Sequence, residues 1–290
     1  MTDKQIKEKI KNMSIEDKVL LLTQYPSYLP GDTEVVTGDS VYGLMIDELK
    51  KTGSTLNTSC GEEVANLRRD KVESGNSEPF AIMHDVIHGY RTIYPVPLAL
   101  ACSFDTDIIE QCAKMAALEA KSDGVDVTFS PMVDLARDAR WGRVMESAGE
   151  DQLLGGDVGK AFVRGYHEGG LACCIKHYAA YGAAEAGKEY NTTEVSEHTL
   201  REYYLKGYQA CMDEKPELFM SSFNALNGKP TLAHRKLMVD ILRDEWGFDG
   251  VLISDYSSVY EMITHGYCKD KKEAALVAIK AKLDVEMSST

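Results

Sequence analysis

Leu-Ala-Cys-Cys-Ile-Lys-His, residues 171–177, is a continuous apolar run that ends abruptly in two ionisable side chains. A strand that is apolar on both faces is typical of a parallel sheet covered by helices on both sides. The sequence therefore predicts a parallel α/β protein. Further short runs of apolar or β-branched residues share this character, at 53–57, 80–83, 125–130, 218–223, 251–254 and 283–287.

Helical periodicity fills most of the intervals between these predicted strands. The first helical pattern contains Ser14 and Asp17, which predict a second helix start midway. Strands that alternate with helices in this way favour parallel pairing through crossover connections. The helical patterns cover 4–23, 105–121, 155–168, 197–213, 235–245 and 271–282.

Ionisable or hydrogen-bonding residues follow most of the predicted strands. In a (β/α) barrel the carboxyl ends of the strands form one rim, and the active site lies there. An open doubly wound sheet also uses its strand ends, but it normally carries a glycine-rich phosphate loop after the first strand, and no such motif is present. The sequence therefore predicts a (β/α)8 TIM-like barrel. The strand-end residues are His84-Asp85, Asp134, Lys176-His177, Asn224 and Asp255.

The count of predicted strands is seven, one short of a complete barrel. Either one strand is irregular or the barrel is incomplete. The last predicted strand ends three residues before the C-terminus, so we expect these residues, 1–290, to be one barrel domain and the front part of a larger protein.

Composition excludes several partner classes. A formal charge of −14 at pH 7 argues against nucleic acid and against an anionic membrane surface, because both attract basic proteins. No apolar run approaches the ~18 residues that span a bilayer, and the N-terminus is too charged for a secretory signal. A neutral sugar is indifferent to this charge.

The cysteines predict a reducing compartment. There are seven, an odd number, and Cys173-Cys174 lie inside an apolar run. This pattern fits buried thiols in a cytoplasmic protein better than a disulfide framework. No C-x-x-C or H-E-x-x-H spacing is present, so neither a metal nor a cofactor is predicted.

Two strand-end carboxylates are candidates for chemistry on a sugar. Asp255 would point into the barrel mouth as an attacking group, or it would cap the helix that begins near Ser257. Asp85 would accept hydrogen bonds from sugar hydroxyls, or it would cap a helix or pair with Arg91. The residues alone leave both pairs of readings open.

Basic residues at the rim also have alternative roles. Lys176, at the end of so apolar a strand, needs a carboxylate partner, because an unpaired buried charge is costly. It could bind a hydroxyl, form a Schiff base or take part in a plain ion pair. The loop 139–151 predicts a rigid arginine held by Glu146, Glu150 or Asp151, since a surface patch of salt bridges rarely needs its tryptophan.

Taken together, these motifs resemble family 3 glycoside hydrolases of the bacterial β-glucosidase and β-xylosidase type. The resemblance covers nearly the whole chain, and the order and spacing of the motifs make it specific. The motifs are His-Asp-Val-Ile-His-Gly (84–89), Tyr-Pro-Val-Pro-Leu-Ala-Leu-Ala-Cys-Ser-Phe-Asp (94–105), Arg-Trp-Gly-Arg (140–143), Gly-Glu-Asp (149–151), Lys-His-Tyr-Ala-Ala-Tyr-Gly (176–182), Met-Ser-Ser-Phe-Asn (220–224), Glu-Trp-Gly-Phe-Asp-Gly (245–250) and Ser-Asp-Tyr (254–256).

The resemblance implies a role for each candidate residue. Asp255 matches the nucleophile that forms a covalent glycosyl-enzyme, and Asp85 matches the carboxylate that holds hydroxyls on the far side of the sugar. The implied substrates carry non-reducing terminal β-D-glucosyl or β-D-xylosyl groups, in oligosaccharides or aryl glycosides. Arg140 is expected to be structural. The remaining implied sugar-binding residues are Arg143, Lys176 and His177 as donors, Met220 as part of the wall and Tyr256 as an aromatic platform.

The sequence departs from the family pattern at three positions. Tyr256 stands where tryptophan is common, and Phe223 stands where a tyrosine often donates a hydrogen bond to the nucleophile. Lys282 stands where glycine is usual. The Asp-x-His motif of the family's N-acetylglucosaminidases has no counterpart in 183–193.

The resemblance implies that the proton donor lies elsewhere. In the glucosidase branch it is a glutamate of a C-terminal α/β sandwich domain, which is expected to act on this barrel in cis or in trans. The 290-residue chain alone is therefore expected to be nearly inactive on unactivated substrates. A non-catalytic sugar-binding barrel and a Schiff-base lyase that uses Lys176 are the alternative functions.

Overall fold

Eight parallel strands form one sheet that curves into a nearly closed barrel. The computed structural model describes residues 1–26, 50–58, 60–73, 75 and 78–289. The predicted (β/α)8 fold is confirmed. In the order in which they hydrogen-bond around the sheet, the strands are Glu286–Met287, Thr23–Pro26, Ser54–Leu56, Ala81–His84, Val127–Thr128, Ala172–Tyr178, Leu218–Ser221 and Val251–Ile253.

The seam of the barrel lies between the first and last strands of that order. There Ile253 and Val285 form an isolated parallel bridge rather than a continuous ladder. The Ser254 N–H donates to the Val285 carbonyl at 2.9 Å. The seam is therefore only partly closed by hydrogen bonds, and it lies next to Asp255.

The strand that the sequence patterns missed is Thr23–Pro26. The predicted helical stretch 4–23 consists of two helices, Asp3–Asn12 and Ile15–Leu21, and the predicted second start is confirmed, since the Ser14 hydroxyl accepts the Asp17 N–H. The strand that follows is short, and it carries a fully buried amide. Gln24 Nε2 donates to Ser54 Oγ at 3.0 Å, while Gln24 Oε1 has no hydrogen-bond partner among the described residues. An irregular strand, not an incomplete barrel, therefore explains the predicted count of seven.

Helices cover the outside of the barrel, and each predicted helix is found to within a few residues. The predicted helix 197–213 is interrupted by a π-helical turn, Leu200–Tyr204, and the predicted helix 235–245 is π-helical over Lys236–Glu245. The α-helices of the described residues are Asp3–Asn12, Ile15–Leu21, Gly61–Glu73, Pro97–Ala101, Thr106–Ser122, Gln152–Glu168, Glu197–Thr199, Lys206–Cys211, Ser258–Thr264 and Lys271–Lys280. Among the described residues, no helix combines the length and apolar character that crossing a bilayer requires.

Small residues allow the two longest of the described helices to pack closely. The Asp105 carboxylate begins the helix Thr106–Ser122 by accepting two backbone N–H groups. Its buried face is mostly alanine, and it packs against the helix Gln152–Glu168. At Gly165 a Cβ atom would lie 2.3 Å from the Glu110 carbonyl oxygen, so only glycine fits there.

Alternate residues of each strand point into two separate cores. Cys174 faces the barrel interior, with Leu56, Met220 and Ile253. Its neighbour Cys173 faces the layer between the sheet and the helices. The two adjacent cysteines therefore lie on opposite sides of the sheet. All seven cysteines of the chain are free thiols.

Lys282 has a left-handed backbone, with φ 70°, directly after the helix Lys271–Lys280 and its C-cap residue. Its N–H donates to the Ile279 carbonyl at 3.0 Å, and the Leu283 N–H donates to the Ala278 carbonyl at 3.1 Å. This pair of bonds is the Schellman arrangement, in which glycine is the usual residue. The left-handed backbone therefore favours glycine at this position.

We expect Lys282→Gly to raise the free energy of unfolding by about 0.5–1 kcal/mol, since relief of the left-handed strain exceeds the entropy that glycine adds to the unfolded chain. Urea denaturation measures the change. Lys280→Gly, two residues earlier at the last helical position, is the matched control and should lower stability by up to about 1 kcal/mol. Equal destabilisation by both substitutions would show that Lys282 is not strained.

Candidate active site

A cavity of about 290 Å³ opens at the carboxyl ends of the barrel strands. All seven residues that the sequence predicted for the site line it: Asp85, Arg143, Lys176, His177, Met220, Asp255 and Tyr256. Five strands or their following loops contribute these side chains, which explains why they are dispersed along the chain. The other lining residues are Leu56, Asn57, Phe129, Tyr190, Phe223, Ser257, Glu261 and Met287.

Asp255 follows the strand Val251–Ile253, and its two carboxylate oxygens differ. Oδ1 accepts the Tyr256 N–H at 2.7 Å, which fixes the orientation of the group. Oδ2 is buried and has no hydrogen-bond partner among the described residues. The helix Ser258–Thr264 begins without a side-chain cap, so the alternative reading of Asp255 as a helix cap is wrong.

Burial controls the acidity of Asp255. It raises the pKa of this carboxyl to about 6, while the positive charges of Arg143 and Lys176 and the Tyr256 N–H stabilise the ionised form. The group is therefore mostly a carboxylate at neutral pH, although it is only 9% exposed. An ionised, poorly solvated oxygen without a partner can act as a nucleophile.

Lys176 and Asp85 form an ion pair on the cavity wall. The Nζ–Oδ1 distance is 2.8 Å; the lysine is buried, whereas the Asp85 side chain is 43% exposed toward the opening. Asp85 follows the strand Ala81–His84 and pairs with Lys176. The alternative pairing of Asp85 with Arg91 is not observed, because Arg91 pairs with Asp123. Of the readings left open for these residues, an ion pair that faces the cavity is the one observed.

A buried network positions His177. Asp134 Oδ2 accepts both the backbone N–H of His177, at 2.8 Å, and its ring Nδ1–H, at 2.9 Å. The Tyr208 hydroxyl lies 2.7 Å from Asp134 Oδ1 and 2.6 Å from the His177 carbonyl. This places ring Nε2 at 3.5 Å from Asp255 Oδ2.

The same network sets the protonation of the ring. Burial, with the nearby charges of Arg143 and Lys176, lowers the pKa of His177 well below its usual range. Burial also raises the pKa of Asp134 to about 7, against the hydrogen bonds from Tyr208 and the His177 backbone. A neutral ring that donates through Nδ1 presents a lone pair at Nε2. His177 is therefore a hydrogen-bond acceptor toward the cavity.

Glu146 holds Arg143 in a bidentate pair, with both N–O distances 2.8 Å. The guanidinium also lies over the Tyr181 ring, 5.8 Å from its centroid. The predicted arginine clamp is therefore present, and Glu146 is its partner. Asp151 instead caps the helix Gln152–Glu168. Arg140 lies outside the cavity and pairs with Asp138 on the surface.

Among the lining residues that the sequence did not predict, Tyr190 and Glu261 have the most distinctive chemistry. Tyr190 packs against Phe223, with ring centroids 4.7 Å apart, and forms an aromatic wall. Glu261 lies on the helix Ser258–Thr264, and its Oε2 is buried without a partner among the described residues. Burial, then the charge of Asp255, raises the pKa of Glu261 to about 7. The sequence signal that points to Glu261 is its position six residues after Asp255, on the helix that follows the strand.

Comparison with known proteins places this geometry in context. The family model described as glycosyl hydrolase family 3 N terminal domain matches residues 7–290. A periplasmic beta-glucosidase of Salmonella typhimurium is 37% identical over 245 residues, which are 82% of this chain and 32% of the relative. A beta-xylosidase of Formosa agariphila is 35% identical over 211 residues, 69% of this chain and 29% of the relative.

Solved structures agree. The beta-glucosidase from Listeria innocua in complex with isofagomine has a TM-score of 0.94 and 40% identity, covering 100% of this chain and 41% of that one. A mutant of the same enzyme in complex with laminaribiose has a TM-score of 0.93. This chain thus spans about a third of the length of the curated relatives named above. It belongs to glycosyl hydrolase family 3 and corresponds to the family's N-terminal domain.

Proposed function

We propose that this domain is the catalytic barrel of a retaining β-glycosidase in which Asp255 is the nucleophile. The observation that carries the proposal is the environment of Asp255 Oδ2. This oxygen is buried at the cavity wall, it has no hydrogen bond among the described residues, and its partner oxygen is held by the Tyr256 N–H. A substrate that fills the cavity would bring its anomeric carbon against the unbonded oxygen.

The substrates proposed are terminal β-D-glucosides or β-D-xylosides. The relatives are named beta-glucosidase and beta-xylosidase, and the Listeria enzyme was solved with laminaribiose. The cavity, about 290 Å³, lies near the small end of the ~300–1,000 Å³ typical of ligand pockets, which suits one sugar ring. Its wall combines ionic groups for hydroxyls with apolar surface from Phe129, Met220 and Phe223.

The reaction proceeds in two displacements. Asp255 Oδ2 bonds to the anomeric carbon while the bond from that carbon to the leaving oxygen breaks, and the leaving oxygen takes a proton from a general acid. Water then attacks the same carbon, the ester bond to Asp255 breaks, and the water's proton returns to the acid. Arg143 and Lys176 keep Asp255 ionised between turnovers.

The hydroxyls of the bound sugar meet donors and acceptors in fixed positions. Lys176 and Arg143 donate, and Asp85 accepts on the more open side of the cavity. His177 accepts a hydrogen bond from a sugar hydroxyl at Nε2, because its Nδ1–H donates to Asp134. The resemblance implied a donor at His177, and the hydrogen-bond network supports an acceptor instead.

We propose that the general acid is a glutamate of a C-terminal α/β sandwich domain, acting in cis or in trans. The share of the relatives that this chain spans, about a third, supports this assignment. Of the cavity carboxyls, Asp85 is paired and Asp255 attacks, which leaves Glu261 as the alternative acid within the described residues. A Schiff base at Lys176 is disfavoured, since its ammonium is engaged by Asp85 at 2.8 Å.

The test is covalent labelling by a 2-deoxy-2-fluoro-β-glucoside that carries a dinitrophenolate leaving group. Such a leaving group departs without a proton, so the reaction does not need the general acid. Mass spectrometry should find one fluoroglucosyl group on the peptide that contains Asp255. Label on another residue, or none on the folded chain at saturating reagent, would refute the proposal.

The same chain distinguishes the two acids. Hydrolysis of an unactivated β-glucoside by the 290-residue chain alone would contradict an external acid. Loss of that activity in Glu261→Gln, with labelling retained, would assign the acid to Glu261.

A further inference from the structure

At the amino ends of the barrel strands, opposite the cavity, three metal-ligating side chains converge. His167 lies in the last turn of the helix Gln152–Glu168, Cys173 is the second residue of the strand Ala172–Tyr178, and Glu217 directly precedes the strand Leu218–Ser221. We call these residues the His167–Cys173–Glu217 cluster. One ligand atom from each lies within 4.8 Å of the others. The proposed sugar site makes no use of them.

The distances within the cluster are those of one face of a tetrahedron. Nε2 of His167 lies 3.1 Å from Oε2 of Glu217. Sγ of Cys173 lies 3.7 Å from that nitrogen and 3.8 Å from that oxygen. Zinc–ligand bonds of about 2.0–2.3 Å at tetrahedral angles place neighbouring ligand atoms about 3.3–3.6 Å apart. Shifts of a few tenths of an ångström in the three ligand atoms would bring them to the distances of a zinc site.

We propose that the His167–Cys173–Glu217 cluster binds one divalent cation of the zinc class, with water as the fourth ligand. A thiolate and a carboxylate together carry the charge that neutralises a divalent ion, and the imidazole adds a neutral ligand. Thiolate and imidazole select zinc or cobalt over magnesium and calcium. The Glu217 side chain is 46% exposed, which leaves room for water.

The cluster is organised before any ion arrives. The Cys173 N–H donates to Glu217 Oε2 at 3.0 Å, so the carboxylate is tied to the strand that carries the thiol. Cys174 cannot replace Cys173, because it faces the barrel interior. Ion binding displaces the proton of the Cys173 thiol, whose pKa burial raises well above its usual range. It also replaces the hydrogen bond between His167 Nε2 and Glu217 Oε2 with bonds from both atoms to the ion.

The consequence is structural. The ion would join one covering helix to the bases of two neighbouring strands, about 10 Å along the strand from Lys176 at ~3.3 Å per residue. It would therefore raise the thermal stability of the barrel without entering the sugar site. The ligands come from three separate segments, which is why no spacing motif in the sequence predicted a metal.

Titration of the full chain with Co²⁺ under metal-free reducing conditions tests the proposal. A thiolate-to-cobalt charge-transfer absorption should saturate at one ion per chain, with release of protons, and Zn²⁺ should abolish it by displacement. Saturating Zn²⁺ should raise the Tm by on the order of 5 °C. Cys173→Ser should remove the absorption, and Cys112→Ser, at a half-buried thiol outside the cluster, should retain it.

His167→Gln keeps the test decisive if Cys173→Ser fails to fold, because His167 is partly exposed and all thiols remain. This variant should bind Co²⁺ at least tenfold more weakly and lose the Zn²⁺-dependent rise in Tm. Absence of the absorption in folded chain at millimolar Co²⁺ would overturn the proposal. An absorption that persists unchanged in Cys173→Ser or His167→Gln would place the ion elsewhere and overturn it equally.

Discussion

Asp255→Asn is expected to hydrolyse an activated aryl β-glucoside on the order of 10⁴-fold more slowly than the unaltered chain. The amide has almost the same shape and keeps the oxygen that accepts the Tyr256 N–H at 2.7 Å. It lacks the anionic oxygen that attacks the anomeric carbon, so no glycosyl ester forms. Release of the dinitrophenolate under single-turnover conditions measures the effect.

The pH dependence identifies the same group. The pKa of Asp255 is raised to about 6, so the activity of the unaltered chain should fall tenfold per unit of pH below about 6 and level off above it. Asp249→Asn, at an exposed carboxyl near the preceding strand, should leave both rate and profile unchanged. A profile without this acidic limb would count against Asp255.

The unfolding temperature of Asp255→Asn shows whether a loss of activity comes from the missing nucleophile or from loss of folding. A carboxyl whose pKa is higher in the folded than in the unfolded state favours folding when protonated, and this contribution is lost as pH rises through about 6. The neutral amide avoids that loss, so Asp255→Asn should unfold at no lower temperature than the unaltered chain at neutral pH. An inactive variant that is also markedly less stable would leave the assignment to rest on the labelled peptide.

The parts of the fold that could be predicted are those with a periodic or apolar signal. Strands buried on both faces, such as Ala172–Tyr178, stand out as continuous apolar runs. Thr23–Pro26 does not, since it buries the polar Gln24, whose Nε2 donates to Ser54 of the neighbouring strand. A hydrogen bond to a residue 30 positions away produces no local pattern in the sequence from which a strand could be predicted.

The candidate site divides in a similar way. Residues that directly follow strands were predicted, because the geometry of a parallel barrel brings strand ends together. Asp134 was noted at a strand end, but its role depends on Tyr208, which lies 74 residues away on a helix. Glu261 and Tyr190 enter the cavity from outside the strands. Contacts made by tertiary packing, rather than by strand ends, are what the sequence could not show.

Asp134 carries the second large effect. Asp134→Ala is expected to lower the free energy of unfolding by about 3–5 kcal/mol, because it leaves the backbone N–H and the Nδ1–H of His177 buried without acceptors. Asp134→Asn should cost at most about 1 kcal/mol. Its carbonyl oxygen replaces Oδ2, and its amide faces the Tyr208 hydroxyl, which still donates to the His177 carbonyl at 2.6 Å.

The pair of variants separates acceptor position from charge. If Asp134 acts by holding the His177 ring with Nε2 toward the sugar, labelling of Asp255 should be slow in Asp134→Ala and close to normal in Asp134→Asn. If its charge were the contribution, both variants would be impaired alike. Urea denaturation and the rate of labelling, measured on the same samples, decide between the two. The burial that raises the pKa of Asp134 to about 7 already weakens the case for charge, since a carboxyl that readily accepts a proton near neutral pH acts mainly through where its oxygens lie.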